Sequence, residues 1–261
     1  MDVDGVIKRG SKIVEGTADA METLRRKSVP FLLVTNNSTK TPAHMSQQFR
    51  SKGLEVKPEE IMTSSQALTH LLDKRPELQR SARKGVCVLG EDGLLEELVS
   101  RGYPITDNET QGLLAVGLDR SFDYKKLVCA MRSIQSGAAF VATNTDKTYP
   151  AEEFEMPGAG SIIASIVACT NKRPRVVGKP SRIFFSAAVA RLNGSVNPRN
   201  IVVIGDRPET DVVMANRNGC VSVLVLSGVT KEFDTRRLRG HERPKFVFAD
   251  FREAIERLIA S

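Results

Sequence analysis

The chain has 261 residues, of which 41% are apolar and 26% charged, so its composition is that of a globular protein and excludes a disordered chain. No apolar run approaches the about 18 residues that cross a bilayer, and no signal-peptide core precedes the first basic residues, so we expect a cytoplasmic protein without a membrane partner. The net charge of +7 comes from short, separate basic clusters, and the chain has 11 Phe, 3 Tyr and no Trp. Basic clusters without interleaved aromatic residues do not indicate a nucleic-acid partner, so we expect none. We expect the positive field to attract anionic metabolites.

Apolar stretches of strand length alternate along the chain with stretches of helical periodicity. The predicted strands are residues 31–34, 86–89, 113–116, 140–142, 176–177, 201–204 and 221–226. The predicted helices are residues 17–27, with Thr17 as the N-cap, and residues 42–52, 65–73, 92–101, 123–136, 159–170, 181–192 and 209–218. This alternation predicts an α/β fold in which a doubly wound parallel sheet is covered by helices on both faces.

Polar side chains follow four of the strands, counting a first strand at the very start of the chain. In open parallel sheets, ligands bind at the carboxyl ends of the strands, so these side chains are candidates for the functional site. In chain order they are Asp2 and Asp4, Thr35 and Asn36, Lys179, and Asp206 and Asp211.

The acidic members of this set predict a divalent metal site. Carboxylates that meet at one sheet edge repel one another unless a cation lies among them. Mg²⁺ meets this need, since it takes oxygen ligands from one or two carboxylates together with water and a substrate phosphate. We expect Asp2 and Asp206 as ligands, with a backbone oxygen of Asp4, and Asp211 as a residue that orients the ligands from behind.

The remaining members suit phosphoryl chemistry. A phosphate at this metal would find hydrogen-bond donors in Thr35 and Asn36 and a positive charge in Lys179. Metal and lysine together offset the repulsion between a carboxylate nucleophile and a phosphoryl group. Asp2 can then attack phosphorus to form an aspartyl-phosphate, while Asp4 protonates the leaving alcohol and later takes a proton from water.

Four motifs resemble those of the haloacid dehalogenase-like phosphatases. They are residues 2–6 (DVDGV), 34–38 (VTNNS), 177–180 (VGKP) and 205–211 (GDRPETD). Residues 140–146 (FVATNTD), 157–161 (PGAGS) and 226–230 (LSGVT) further resemble the branch that contains p-nitrophenyl phosphatases, phosphoglycolate phosphatases, pyridoxal phosphate phosphatases and NagD-type nucleotide phosphatases. The similarity covers nearly the whole chain.

The resemblance implies an enzyme, a magnesium-dependent phosphatase that hydrolyses small phosphomonoesters of these kinds through an aspartyl-phosphate. It implies the following roles: Asp2 as nucleophile, Asp4 as acid and base, Thr35 and Asn36 as phosphate binders, Lys179 as charge stabiliser, and Asp206 as a magnesium ligand supported by Asp211. It also implies homodimerisation through a cap domain. The substrate is expected to be a small phosphorylated metabolite.

The spacing of the motifs places this cap. Residues 6–34 are too few to hold an inserted domain, whereas residues 36–178 are enough. We therefore predict a Rossmann-like hydrolase core of residues 1–77 and 174–261 and an inserted α/β cap of residues 78–173. Asn144 and Asp146, after a cap strand, are candidates for substrate binding, and a turn-forming role is the alternative for both.

Two alternatives stay open, and two others are disfavoured. Only Met1 precedes Asp2, whereas the nucleophile of this superfamily ends a central strand with several apolar residues before it. We expect the start shown to lie inside a longer product; the alternative is a truncated protein that folds without activity. A phosphotransferase or mutase is a further alternative. A phosphoacceptor signalling module is disfavoured because it ends within one compact domain, and dinucleotide binding because no Gly-x-Gly-x-x-Gly follows a first strand.

The four cysteines, Cys87, Cys129, Cys169 and Cys220, are scattered singly in apolar surroundings. They lack the Cys-x-x-Cys spacing of metal sites, and no histidine lies close to them in the sequence. We therefore expect buried free thiols.

Overall fold

The structure is a computed structural model, and it describes residues 1–150, 154–192 and 196–259. The contacts within the chain divide it into two compact units. The first unit contains Met1–Thr35, Pro42–Met62 and Phe185–Ser261, and the second contains Asn36–Thr41 and Thr63–Phe184. The predicted cap, residues 78–173, falls inside the second unit, and its boundaries with a core of residues 1–77 and 174–261 stay a prediction.

The described residues form strands and helices in alternation. The strands are β1 (Lys8–Arg9), β2 (Lys12–Ile13), β3 (Leu33–Thr35), β4 (Ile61–Thr63), β5 (Val86–Leu89), β6 (Ile105–Thr106), β7 (Leu113–Val116), β8 (Ala139–Ala142), β9 (Thr148–Pro150), β10 (Glu155–Pro157), β11 (Arg175–Val176), β12 (Val202–Gly205), β13 (Val221–Val225) and β14 (Phe246–Phe248). The helices are α1 (Thr17–Arg26), α2 (Pro42–Arg50), α3 (Ser64–Lys74), α4 (Pro76–Arg83), α5 (Asp92–Ser100), α6 (Tyr124–Gln135), α7 (Ala159–Thr170), α8 (Arg182–Arg191), α9 (Val213–Arg217), α10 (Glu232–Thr235) and α11 (Phe251–Ile259). Within this described part of the chain, no helix has both the length and the apolar character that crossing a membrane requires.

The first unit contains the parallel strands β12, β13 and β14, which lie side by side, and the pair β3 and β4. The first residues of the chain connect these two groups. Asp2 forms a parallel bridge with Val34, and its N–H donates to the carbonyl of Ile204 at 2.8 Å. The N–H of Val34 donates to the carbonyl of Met1, also at 2.8 Å. Asp2 therefore lies between β3 and β12, in the position of a strand end.

Apolar side chains directly after Asp2 anchor this start in the core. Val3, Val6 and Ile7 are fully buried and pack in one cluster with Met21 of α1 and Phe251 of α11. Burying a side chain of this size contributes about 1.5–3 kcal/mol relative to leaving it exposed. The packing of these residues thus fixes the backbone that carries Asp2.

The second unit contains a sheet of five parallel strands in the order β11, β8, β7, β5, β6. Its core includes Leu89, Leu114, Val116 and Ile166, which are buried between this sheet and helices α6 and α7. The strand before Lys179, which sequence analysis placed in the core domain, is β11 and pairs with β8 in this sheet. The two parallel sheets with their helices confirm the predicted α/β fold class.

All seven predicted strands and all eight predicted helices are found, and except for the helix predicted at 209–218 their ends differ by at most two residues. The helix predicted at 209–218 begins differently, because Pro208–Val212 form a π-helical segment before α9. π-Helical segments are rare, and many of those that occur lie at functional sites. The sequence prediction missed the strands β1, β2, β4, β6, β9, β10 and β14 and the helices α4, α10 and α11.

The predicted N-cap of the first helix is wrong. Gly16 occupies the cap position, with φ of 75°, and Thr17 is the first helical residue. The Thr17 side chain is 1% exposed, and its hydroxyl accepts and donates no hydrogen bond among the described residues. A left-handed residue in front of the helix turns Thr17 toward the core, so the side chain does not reach back over the helix end.

Replacing Thr17 by Val should stabilise the first unit. Valine has the same shape and removes a buried hydroxyl without a partner, so we expect the free energy of unfolding to rise by about 1 kcal/mol. The matched control is Thr23→Val in the same helix, where the lost hydroxyl donates to the Asp19 carbonyl at 2.9 Å. Urea unfolding of both variants measures the difference, and equal effects of the two substitutions would contradict the assignment.

The cysteines are free thiols, as predicted, but they are neither all buried nor all separate. Cys87 and Cys220 are buried, Cys129 is half-buried and Cys169 is exposed. The Sγ atoms of Cys87 and Cys129 lie 3.2 Å apart, a proximity that their positions in the sequence do not reveal. Burial, with the hydrogen bond to Cys129, raises the pKa of Cys87 to about 12, and burial raises the pKa of Cys220 to about 11.

These pKa values predict the order in which the thiols react. The thiolate is the reactive form, so at about pH 8 the buried thiols should alkylate far more slowly than exposed Cys169. Timed iodoacetamide labelling followed by peptide mass analysis checks this order, and labelling in denaturant supplies the control in which the difference disappears. Equal labelling of Cys87 and Cys169 in the folded protein would contradict the described burial.

Candidate active site

Three carboxylates of the first unit meet in one place. Asp2, Asp206 and Asp211 each offer an oxygen, and these oxygens all lie within 4.8 Å of one another. The residues are 6%, 1% and 1% exposed, respectively. Sequence analysis expected Asp2 and Asp206 to share an ion and Asp211 to stand behind them; the structure brings all three carboxylates together.

Asp206 directly follows β12 and is held by the loop after β13. The N–H of Val229 donates to Asp206 Oδ2 at 2.8 Å, and the Thr230 hydroxyl donates to the Asp206 carbonyl at 2.6 Å. Asp211 lies in the π-helical segment, five residues further along the chain. A Cβ on Gly205 would lie 2.2 Å from the Asp211 Cβ, so a glycine is needed at the end of β12 for Asp211 to reach this position.

Two further glycines leave room for the Asp206 carboxylate. A Cβ on Gly5 would lie 2.2 Å from Asp206 Oδ2, and one on Gly228 would lie 2.0 Å from the same oxygen. Gly5 also has φ of +86°, a left-handed conformation that glycine adopts without strain. Glycine at both positions therefore lets the backbone pack directly against the Asp206 carboxylate.

This donor set fits a magnesium ion. Mg²⁺ prefers oxygen ligands and is typically held by carboxylates, with water and substrate oxygens completing the shell. Three buried carboxylates repel one another, and a divalent cation among them offsets this repulsion. Asp2, Asp206 and Asp211 are the residues that would hold it.

Asp4 is not one of the three clustered carboxylates and makes different contacts. Its carboxylate forms an ion pair and hydrogen bond with the ammonium of Lys8, and its side chain is 40% exposed. The two residues also form a backbone bridge around the turn at Gly5, whose N–H donates to the Lys8 carbonyl at 2.7 Å. Lys8 was missed by sequence analysis. A metal ligand from the backbone oxygen of Asp4 stays a prediction.

The other predicted residues lie in both units. Thr35 ends β3 in the first unit and is 2% exposed. Asn36, Asn144, Asp146 and Lys179 form one hydrogen-bonded group in the second unit. Asn36 Oδ1 accepts the backbone N–H of Lys179 at 2.7 Å, and Asn144 Nδ2 donates to the Asn36 carbonyl at 2.9 Å. The substrate contacts predicted for Asn144 and Asp146 stay a prediction.

The second unit also contains a cavity of about 400 Å³ that sequence analysis did not foresee. Its lining includes Phe122, Tyr149, Met156 and Arg120, and none of the predicted site residues contributes to it. Arg120 Nε donates to Glu91 Oε1 at 2.7 Å and Nη2 donates to Oε2 at 2.5 Å. Burial of Glu91 favours its neutral form, but the hydrogen bonds and charge of Arg120 outweigh it and hold the pKa of this carboxyl below its ordinary value.

Family comparisons agree with the site. The family model of the haloacid dehalogenase-like hydrolases matches residues 1–104, and the HAD-hydrolase-like model matches residues 176–254. The chain is 30% identical, over 258 residues, to the acid sugar phosphatase of Staphylococcus haemolyticus (strain JCSC1435). This alignment covers 99% of the chain and 95% of the relative.

Solved structures lead to the same family. The p-nitrophenyl phosphatase from Archaeoglobus fulgidus matches with a TM-score of 0.86 and 30% identity, covering 98% of this chain and 97% of that one. The glycerol phosphate phosphatase from Mycobacterium tuberculosis, in complex with magnesium, matches with a TM-score of 0.86 and 29% identity, covering 96% of this chain and 74% of that one. The chain belongs to the haloacid dehalogenase-like hydrolases, in the phosphatase branch that includes p-nitrophenyl phosphatase and NagD.

Proposed function

We propose that this chain hydrolyses small phosphomonoesters in a magnesium-dependent reaction that passes through an aspartyl-phosphate on Asp2. The observation that carries the proposal is the group of three buried carboxylates, Asp2, Asp206 and Asp211, at the end of the first-unit strands. Family membership supports the reaction class, and the magnesium in a similar solved structure supports the choice of ion for this chain.

Asp2 is the nucleophile in this proposal. Its backbone is fixed by hydrogen bonds on both sides, and its Oδ1 accepts the N–H of Val3 at 2.7 Å. This contact holds one carboxylate oxygen and fixes the direction of the other. A carboxylate oriented in this way can attack phosphorus without first reorganising its surroundings. A bound magnesium ion would supply the positive charge that lets an anionic carboxylate and an anionic phosphoryl group approach.

Asp4 is the acid and base. It lies two residues after the nucleophile, and its ion pair with Lys8 limits the directions in which the side chain can turn. In its protonated form it donates a proton to the oxygen of the leaving alcohol. The resulting carboxylate then accepts a proton from the water that attacks the aspartyl-phosphate, which returns Asp4 to its starting state.

Thr35, Asn36 and Lys179 act on the phosphate in this proposal. Thr35 and Asn36 contribute hydrogen-bond donors, and the Lys179 ammonium stabilises the charge that develops on the phosphoryl oxygens. Lys179 is 5% exposed, and a charge removed from bulk water interacts more strongly with another charge than one on the surface. These roles follow the family's motifs residue by residue.

The substrate is proposed to be a small phosphorylated metabolite. Phosphoglycolate, pyridoxal phosphate, nucleotides and p-nitrophenyl phosphate are the candidates from the sequence, and the names of the relatives add sugar phosphates and glycerol phosphate. Asn144 and Asp146 are proposed to contact the part of the substrate beyond the phosphate. Homodimerisation through the cap is proposed as well, and phosphotransfer to an alcohol is the second candidate reaction.

A substrate panel tests the proposal. The purified chain is incubated with each of these phosphomonoesters in magnesium, in calcium and in EDTA, and released phosphate is measured. We expect hydrolysis to require magnesium. We expect its rate to depend on the part of the substrate beyond the phosphate. Release in EDTA at the magnesium rate would overturn the metal dependence, and transfer to an added alcohol without net phosphate release would favour a phosphotransferase.

A further inference from the structure

The side-chain amide of Asn36 is occupied by contacts within the second unit. Its Oδ1 accepts the backbone N–H of Lys179 at 2.7 Å, and its Nδ2 donates to the backbone carbonyl of the same lysine at 3.3 Å. Nδ2 also donates to the carboxylate of Asp146, whose Oδ2 is 3.3 Å away. Because a side-chain amide has one acceptor oxygen and two donor hydrogens, these contacts use both of its ends.

Asn36 is itself held firmly in place. Its carbonyl accepts the Ser64 hydroxyl at 2.6 Å and Asn144 Nδ2 at 2.9 Å. Asn144 Oδ1 accepts the N–H of Asp146 at 3.1 Å, which holds the backbone of the residue whose carboxylate Asn36 contacts. Asn36 and Asn144 are 9% and 5% exposed, so water competes little for these hydrogen bonds.

Gly178, the residue before Lys179, also packs closely against the Asn36 amide. A Cβ on Gly178 would lie 2.6 Å from Asn36 Oδ1 and 2.3 Å from the carbonyl oxygen of Thr143. Real side chains are not accommodated at such distances, so only glycine lets this segment approach the Asn36 amide. The segment 178–179 and Asn36 therefore fit each other as a pair.

We propose that Asn36 is a positioning residue for Lys179. Its amide binds both polar backbone groups of the lysine and so fixes the starting point of a long, flexible side chain, and Asp146 fixes the orientation of the amide. This inference rests on the proposed function, in which the Lys179 ammonium stabilises the phosphoryl group. It gives the Asn36 side chain a task other than phosphate binding, so a hydrogen bond from Asn36 to phosphate would come from its main chain.

A double-mutant cycle on kcat/KM for p-nitrophenyl phosphate tests the inference. Lys179→Met removes the charge and keeps the length of the side chain; we expect a loss of about 10²- to 10³-fold. Asn36→Ala should lower kcat/KM by about 10- to 100-fold, because a small misplacement of a charge that stabilises the transition state is costly. The double variant should be no worse than Lys179→Met within about threefold, since Asn36 acts through the lysine.

The outcomes separate the inference from the function on which it rests. If Lys179→Met keeps the parent value, the proposed role of Lys179 fails, and the inference fails with it. If Lys179→Met loses activity but Asn36→Ala costs the same factor in both backgrounds, the role of Lys179 stands and the positioning role of Asn36 is overturned. The matched control is Ser64→Ala, which removes a hydrogen bond to the Asn36 carbonyl and leaves the amide contacts unchanged. An Asn36→Ala loss no larger than that of the control also overturns the inference.

A second pair of variants covers the case in which Asn36→Ala does not fold. Asn36→Asp keeps the shape and the acceptor for the Lys179 N–H, but it places a second carboxylate against Asp146. We expect it to lower kcat/KM, and adding Asp146→Asn should restore part of the loss because a donor again faces an acceptor. Absence of any restoration, with both proteins folded by circular dichroism, would contradict the proposed contact.

Discussion

Asp2→Asn should abolish phosphate release from p-nitrophenyl phosphate, with a fall in kcat on the order of 10⁴-fold or more. An amide is not a nucleophile toward phosphorus, and it contributes no negative charge to a cation. The substitution keeps the shape of the side chain, and the amide oxygen can still accept the N–H of Val3. The fold and the thermal stability should therefore be retained while the chemistry is lost.

The matched control is Asp19→Asn, which makes the same chemical change at an exposed position of α1. It should leave kcat, KM and the magnesium requirement unchanged. Steady-state assays of parent, Asp2→Asn and Asp19→Asn proteins, each titrated with magnesium, make the comparison. Asp2→Asn protein that still released phosphate in proportion to bound magnesium would require a different nucleophile.

Gly228→Ala should weaken the proposed metal site although it replaces none of the three carboxylates. The new Cβ would lie 2.0 Å from Asp206 Oδ2 and 2.5 Å from the Asp206 Cβ. The carboxylate would have to move, and it would then lose the N–H of Val229 and its place beside Asp2 and Asp211. Losses of this kind around metal ligands weaken metal affinity by about 10- to 100-fold, which is the effect we expect on magnesium binding.

Isothermal titration with magnesium in the absence of substrate measures this effect directly. Gly219→Ala is the control, since its φ of +74° makes alanine strained but nothing lies within 4 Å of the new Cβ. The control should lower the melting temperature and leave magnesium affinity unchanged, whereas Gly228→Ala should lower the affinity. Equal magnesium affinities of the parent and Gly228→Ala proteins would show that Asp206 is not a ligand.

The acidic group was predictable from the sequence because its members follow strands. Asp206 comes directly after an apolar run, and residues 2–6 resemble the family motif that ends a strand. Parallel strands bring such residues to one edge of a sheet. The inclusion of Asp211 depends on the π-helical segment after Pro208, and helical periodicity does not distinguish this segment from an ordinary first turn. The structure brings the Asp211 carboxylate within 4.8 Å of the other two, and its predicted role in orienting the ligands stays a prediction.

Contacts that depend on short or distant segments could not be predicted. Lys8 reaches Asp4 through a backbone bridge in a two-residue strand, which is too short to leave a periodic pattern. The Val176-Val177 run marks a strand but carries no signal for the sheet it joins, and it pairs with β8 of the second unit. The Asn36 side chain hydrogen-bonds to the backbone of Lys179, 143 positions further along the chain. A bond to backbone atoms does not depend on the type of the second residue, so no residue pattern reveals it.

One missed element did leave a signal. Helix α11 buries Phe251, Ala254 and Ile255, which follow the i, i+3, i+4 spacing of an amphipathic helix. Thr17 gave a signal that was misleading. A threonine at the start of a helical run is usually its N-cap, but here the left-handed Gly16 is the N-cap and Thr17 is the first helical residue. The apolar spacing was therefore enough to predict α11. The residue preference for N-caps was not enough at Thr17, because the backbone conformation of Gly16 decides where the helix begins.

The most direct test of the account is to locate the phosphoryl group on the enzyme during turnover. Asp4→Asn protein is suited to this, because p-nitrophenolate leaves without help from an acid, while attack of water still needs a base. The aspartyl-phosphate should therefore accumulate in the presence of magnesium. Acid quenching, proteolysis and mass spectrometry should then find one phosphoryl group on the N-terminal peptide at Asp2, removable by hydroxylamine. A phosphoryl group on any other residue would contradict the account.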